Sequence, residues 1–261
     1  MRSVAARRRS PIVALALLLA ALVAVGMGYS AVNNATSAKA AVASQSEVEH
    51  GKQLYQEGCS SCHGMQAQGT ANGPSLIGVG AAAVDFQVGS GRMPLAKPGA
   101  QAVAGPTQYT EEQTAALAAY VASLAPGPAI PTAEMVDFAD ADVAAGGELF
   151  RVNCAQCHQA AGQGAPLTQG KFAPNLMQAE PREIYEAMIT GPQSMPVFSN
   201  QTIPVENKKE IIAFINHLQN APSPGGMAIG ELGPVTEGLF LWAAVFAALI
   251  GLAVWIGIKA R

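Results

Sequence analysis

Apolar residues concentrate at the two ends of the chain. Between Arg9 and Lys39 no residue is charged, and Pro11 to Val32 is almost entirely Ala, Val, Leu, Ile, Gly and Met. A second uncharged stretch runs from Gly238 to Ile258, between Glu237 and Lys259. Each holds about 20 residues, enough to cross a hydrocarbon core of about 30 Å. Trp242 and Trp255 lie near the ends of the second stretch, where indoles favour the membrane interface. The pattern predicts a membrane helix at each end. The first stretch also fits a cleaved secretory signal, and Ala38-Lys39-Ala40 offers an A-x-A site. That site lies far beyond the apolar run, which is itself longer than the usual signal core of about 7–15 residues, so a retained span is favoured. A buried core helix is the alternative for the second stretch, and its terminal position and flanking charges argue against it.

Between the ends, short segments with helical periodicity alternate with Gly- and Pro-rich connections, and no run alternates as a strand does. From Lys39 to Thr236 one pattern appears twice. Gly51-Lys52-Gln53-Leu54-Tyr55 precedes Cys59-Ser60-Ser61-Cys62-His63, and Gly146-Gly147-Glu148-Leu149-Phe150 precedes Cys154-Ala155-Gln156-Cys157-His158, at an offset of 95 residues. Gly73-Pro74-Ser75-Leu76 then answers Ala173-Pro174-Asn175-Leu176. Arg92-Met93-Pro94 answers Ser194-Met195-Pro196, and Ala119-Tyr120-Val121 answers Ala213-Phe214-Ile215. Such a period is too long for a solenoid and suits two tandem small domains.

A first helix is expected over about 45–57, capped by Ser44 with Glu47 three residues on, and its counterpart over about 142–153. A last helix begins at Thr110, where Gln113 completes a capping-box pattern, and stops before Pro126; its counterpart covers about 205–218. The second unit has an extra helix, Pro181 to Thr190, ended by Gly191. The fold is therefore mainly α with much loop. The predicted divisions are a basic tip 1–10, a span or signal-like segment 11–32, a tether 33–44, a first domain 45–125, a Pro-rich linker 126–139, a second domain 140–220, a linker 221–237, a span 238–258 and a tip 259–261. The Pro-dense stretch 126–131 should be semi-rigid and give the domains a preferred placement.

Composition agrees. Charged residues make up 13% of the chain, against about 25% in an average soluble protein, and half of all residues are hydrophobic, which excludes a disordered chain. The formal net charge of −3 argues against a nucleic-acid partner. Six of the fifteen cations, Arg2, Arg7, Arg8, Arg9, Lys259 and Arg261, lie in the tips, which leaves the middle nine cations against all eighteen acids, a net of −9. By the positive-inside rule both termini are cytoplasmic and the acidic middle faces outward.

All four cysteines fall in the two C-x-x-C-H segments, the attachment sequence for c-type haem. Two thiols bond to the two vinyl groups of one porphyrin, and the adjacent imidazole is held under the iron as proximal ligand. This assigns Cys59, Cys62 and His63 to one haem and Cys154, Cys157 and His158 to a second. A shared zinc site would leave the histidines surplus and span 91 residues between pairs, and a thioredoxin-like dithiol would need a βαβ context that is missing. Met93 and Met195, at matching positions and each followed by Pro, are the candidate sixth ligands. Met65, Met177 and Met188 read as core fillers. His50 and His217 have no counterparts and read as surface or capping residues. The carbonyls of Pro74 and Pro174 could accept the proximal Nδ1–H. Tyr55, Tyr120, Phe150 and Phe214 read as aromatics where the first and last helices cross.

With these motifs, residues from about Gln45 to Leu218 resemble two tandem class I cytochrome c domains. The whole layout, with a basic N-terminal helix, two C-x-x-C-H domains and a C-terminal helix entered through Gly233-Pro234-Val235-Thr236-Glu237-Gly238-Leu239, is similar to the dihaem cytochrome c subunit of the actinobacterial cytochrome bcc complex, which oxidises menaquinol. The resemblance implies two covalent haem c groups, with Met93 and Met195 on the irons, and partners in the Rieske iron–sulfur subunit, the cytochrome b subunit, an aa3-type oxidase and the lipid bilayer. The first haem would take electrons from the Rieske subunit and the second would pass them to the copper centre of the oxidase. A subunit of a cbb3-type oxidase or a membrane dehydrogenase is the alternative, though such relatives are usually anchored at one end. A dihaem peroxidase would need one five-coordinate haem, which two matching methionines oppose. A sensor or haem-storage role stays open.

Overall fold

A computed structural model describes residues 11–36, 43–97, 99–221 and 234–259. Ala38-Lys39-Ala40, the tip 1–10, most of the linker 221–237 and the last two residues lie outside the described residues. α1 (Pro11–Thr36) is a 26-residue helix, about 39 Å long at 1.5 Å per residue. Its segment Pro11–Gly28 has a mean hydropathy of 2.5, and no part of it is buried by the rest of the protein. A helix this long and apolar on every side suits a membrane span.

In the first domain α2 (Gln45–Gly58) starts at Ser44, whose hydroxyl accepts from Glu47 N–H at 3.2 Å. α3 (Ser60–His63) follows at once, with Cys59 as the junction. After α4 (Ala81–Gly89), α5 (Glu111–Leu124) opens with the expected capping box: Gln113 N–H donates to Thr110 Oγ1 at 3.3 Å and Thr110 N–H to Gln113 Oε1 at 2.9 Å. The second domain begins with a short turn, α6 (Ala133–Val136), then α7 (Val143–Asn153), where Asp142 Oδ1 accepts from Ala144 N–H at 2.8 Å. α8 (Ala155–His158), strands β1 (Ala165–Pro166) and β2 (Phe172–Ala173), α9 (Pro181–Thr190) and α10 (Val205–Asn220) complete it. The strands pair antiparallel, Ala165 with Ala173. This small hairpin, absent from the sequence expectation, lies in the longer of the two connections between histidine and proline.

First and last helices cross in each domain, α2 on α5 and α7 on α10. A glycine sits at each crossing. A Cβ on Gly51 would lie 1.8 Å from the Ala116 carbonyl oxygen, and one on Gly146 would lie 1.9 Å from that of Glu210, so only glycine permits this approach. One turn on, Tyr55 meets Tyr120 with ring centroids 5.2 Å apart, and Phe150 meets Phe214 at 5.3 Å. Around these pairs Leu117 and Val121 fill the first core, and Tyr185, Ile211, Ile212 and Ile215 the second. Full burial of such side chains contributes about 1.5–3 kcal/mol each.

Two sequence expectations are corrected here. The helix expected only in the second domain has a counterpart, α4, in the first. Ala82, Val84, Phe86 and Val88 are all buried along α4, because the helix packs between α5 and α9. A helix covered on two sides carries no polar stripe, so its 3.6-residue period is invisible in the sequence. Met65 is no core filler: it is 60% exposed in the loop after the first C-x-x-C-H, whereas Met188 is buried as expected.

The domains are joined through α4 and α9. Arg182 reaches Asp85 at 2.5 Å, and its Nε lies 3.4 Å from Glu186 of its own helix. Two glutamines exchange amide clamps across the boundary. Gln101 Nε2 donates to Phe172 O at 2.8 Å and its Oε1 accepts from Phe172 N–H at 2.8 Å, while Gln193 Nε2 donates to Ala102 O at 2.9 Å and its Oε1 accepts from Ala102 N–H at 3.1 Å. The Pro-rich connection packs back on the first domain, Ala82 N–H donating to Pro128 O at 3.1 Å.

α11 (Pro234–Lys259) is again 26 residues long, with Gly238–Lys259 at a mean hydropathy of 2.5 and uncovered by protein. Trp242 stacks near Phe246 at 4.5 Å, and Lys259 Nζ lies 4.7 Å from the Trp255 ring centre.

Candidate haem sites

Each C-x-x-C-H forms a helical turn continuing the first helix of its domain. Cys59 N–H donates to Tyr55 O at 2.8 Å and His63 N–H to Cys59 O at 2.9 Å; in the second domain Cys154 N–H donates to Phe150 O at 2.8 Å and His158 N–H to Cys154 O at 2.9 Å. The turn brings Cys59 and His63 to the wall of one cavity, and Cys154, Cys157 and His158 to the wall of another. His63 Nδ1 then meets Pro74 O at 2.8 Å and His158 Nδ1 meets Pro174 O at 3.0 Å. A carbonyl only accepts, so Nδ1 carries the proton and Nε2 is left with its lone pair, the tautomer a metal requires. The proline follows the histidine by 11 positions in the first domain and by 16 in the second, yet the bond is the same.

A second glycine pair supports this loop. Gly69 N–H donates to His63 O at 2.8 Å and Gly164 N–H to His158 O at 3.0 Å, at φ +85° and +79°. A Cβ there would lie 2.6 Å from Ser75 N and 2.3 Å from Ala173 O. Both glycines went unremarked in the sequence, although they share the 95-residue offset.

Met93 lies in the wall of a cavity of about 480 Å³ that also includes Cys59, His63 and Pro74, and Met195 in the wall of another with Cys154, Cys157, His158 and Pro174. The second is tighter, about 150 Å³. The methionines are held through backbone: Met93 N–H donates to Gln87 O at 2.8 Å and Met195 N–H to Pro192 O at 3.0 Å. His50 and His217 are exposed.

Burial pushes the Cys59 and Cys154 thiols up to about 11, with the neighbouring Cys62 and Cys157 adding to the effect. Burial also lowers the basicity of His158 and so favours the neutral imidazole, while the Pro174 hydrogen bond acts the other way. The donor sets fit haem c: paired thiols, an imidazole whose Nδ1 is engaged by a proline carbonyl, and a thioether, around mostly apolar walls. Gln87 Oε1 is buried in the wall of the first cavity without a hydrogen-bond partner. Among the described residues no three His, Cys, Asp or Glu converge, so the two C-x-x-C pairs do not share a zinc site.

Sequence reasoning also missed Arg92. Burial lowers its basicity while Glu183 acts the other way, and its guanidinium lies 4.6 Å from the centre of the Phe86 ring. The motif Arg92-Met93-Pro94 drew attention to Met93 alone.

Residues 48–125 match the family model for cytochrome c, and residues 141–215 that for cytochrome c oxidase, cbb3-type, subunit III. A Corynebacterium diphtheriae protein named cytochrome bc1 complex cytochrome c subunit is 43% identical over 98% of this chain and 98% of its own. A Corynebacterium efficiens protein of the same name is 48% identical over 82% of this chain and 77% of its own. One from Mycobacterium tuberculosis is 44% identical over 93% and 89%.

Proposed function

The chain belongs to the family of cytochrome bc1 complex cytochrome c subunits, and from that premise we propose that it carries electrons as a dihaem c-type cytochrome between a quinol-oxidising complex and a terminal oxidase. The observation that carries the reading is the duplicated donor set: in each domain a C-x-x-C-H turn, a proline carbonyl on the histidine Nδ1 and a methionine border one cavity. Haem c, when bound, supplies a one-electron couple at iron. Cys59 and Cys62, and Cys154 and Cys157, would attach it as thioethers. His63 and His158 would bind the irons through Nε2, oriented by Pro74 and Pro174, and Met93 and Met195 would fill the sixth positions. Held by both a thioether and an imidazole, the iron would have a raised potential and no position free for oxygen or substrate. The chain itself is an electron carrier, and the bond-making chemistry at quinol belongs to the complex.

The finer assignment is that the first domain receives electrons from a Rieske iron–sulfur subunit held beside cytochrome b, and the second delivers them to an aa3-type oxidase. The two apolar helices suit a membrane anchor at each end, and the basic tips orient both termini to the cytoplasm with the haem domains outside. The match of residues 141–215 to a cbb3-type oxidase subunit favours a second reading, but it covers one domain, whereas the bc1-complex relatives extend over 82–98% of the chain.

Purification of the full chain in mild detergent tests the proposal. Two haems per chain by pyridine haemochrome, no stable carbon monoxide complex, and co-purification of Rieske, cytochrome b and aa3-oxidase subunits are expected. One haem per chain, tight carbon monoxide binding, or isolation with a dehydrogenase would overturn it.

A further inference from the structure

Each cavity is completed by the other domain. Ile189, Thr190 and Pro192 of the second domain line the first cavity, and Phe86, Arg92 and Gln101 of the first domain line the second; Pro192 belongs to both walls. The helices responsible, α4 and α9, occupy equivalent places in the repeat and pack on each other, with Arg182, Asp85 and Glu186 at their contact and the glutamine clamps beside them. The two redox sites therefore share a wall.

Arg92 has a particular place in it. The residue directly precedes Met93, which borders the first cavity, while its own side chain borders the second. The guanidinium is half-buried against the face of Phe86, and among the residues lining the second cavity it is the sole lysine or arginine, with Glu183 the sole acid. Haem carries two carboxylates, and a guanidinium is the side chain whose planar fork matches a carboxylate in two bonds. A fixed positive charge beside a redox iron favours its reduced form. At an effective dielectric near 20, one unit charge about 10 Å away changes such an equilibrium by about tenfold.

We infer that Arg92 of the first domain is a positioning residue of the second haem, supplying the fixed positive charge of that site and raising its reduction potential, so that the two sites form one cofactor-binding unit. The inference rests on the proposed dihaem reading.

The test is a spectroelectrochemical titration of the full-length holoprotein in detergent, with the two midpoints assigned by Met93→His and Met195→His, each of which displaces its own haem's step. In Arg92→Gln the second midpoint should fall by an amount equivalent to about a tenfold change, about 59 mV for one electron, with the first haem's step and carbon monoxide resistance retained. Arg92→Lys should keep most of the potential. Glu183→Gln, which leaves Arg92 in place and keeps an oxygen to cap α9, should shift the second midpoint upward. An unmoved second midpoint in Arg92→Gln, or a shift confined to the first haem, overturns the role of Arg92. Fewer than two haems in the unsubstituted chain overturns instead the dihaem reading beneath it.

Discussion

His63 and His158 donate Nδ1–H to proline carbonyls that cannot donate in return, so each imidazole is held in one tautomer before any iron is considered. The methionines are held differently: Met93 and Met195 are tied down by their backbone N–H groups, pack against the core of their domain and line its cavity. This division makes the methionine the separable part of each site. Met195→Ala should therefore leave attachment and fold intact while opening one iron of two. The reduced variant is expected to bind carbon monoxide at half of its haem, with a lowered midpoint for that half; binding at neither haem would remove Met195 from the ligand set. Residue identities of this kind are legible in sequence because covalent attachment demands a fixed local spacing. Gly69 and Gly164 were legible too, through their shared offset, but their purpose becomes visible only with Pro74 and Pro174 packed against them.

Helices α2 and α5, and α7 and α10, approach so closely at Gly51 and Gly146 that a methyl group would enter a backbone carbonyl. Alanine in a helix is worth about 1 kcal/mol over glycine by propensity, which would stabilise either variant if the site were open. Overpacking against backbone costs about 1–3 kcal/mol and cannot be relieved by a side-chain rotation, so the clash wins. Gly51→Ala is expected to lower the denaturant midpoint of the holoprotein with the haem spectrum unchanged; a neutral or stabilised variant would mean that the crossing is looser than described. The sequence displayed the ends of these helices through Ser44, Thr110, Gln113 and Asp142, whose capping bonds form. It concealed α4. Its counterpart α9 could have been projected onto it, since Gly91 and Gly191, both with positive φ, repeat the 100-residue offset of Pro74 and Pro174.

Across the whole molecule, the contact of α4 with α9 carries a buried acid. Glu186 is 1% exposed, and burial first, then its hydrogen bond with and the charge of Asp85, push its pKa up to about 9 against the opposing effect of Arg182. The unfolded chain has this group near its ordinary 4.5, so between about pH 4.5 and 9 the folded state holds a proton that the unfolded state has lost. Stability contributed here falls as pH rises through that window. Glu186→Gln, which keeps an acceptor for Arg182, should flatten the decline, and the melting temperatures of variant and parent should diverge progressively toward pH 9; parallel profiles would dismiss the buried proton. The sequence by itself determined the chemistry and its duplication: which thiols, histidines and methionines are available, that they occur twice, and that two apolar helices frame them. Those features rest on spacing and on runs of one polarity, both local properties. Tertiary structure alone decided that the two cavities share a wall, that Arg92 turns from one site into the other, and that Gln101 and Gln193 lock the domains by exchange. Each of these joins side chains to partners in the other domain, many tens of residues away along the chain, and no periodicity or motif records such a meeting.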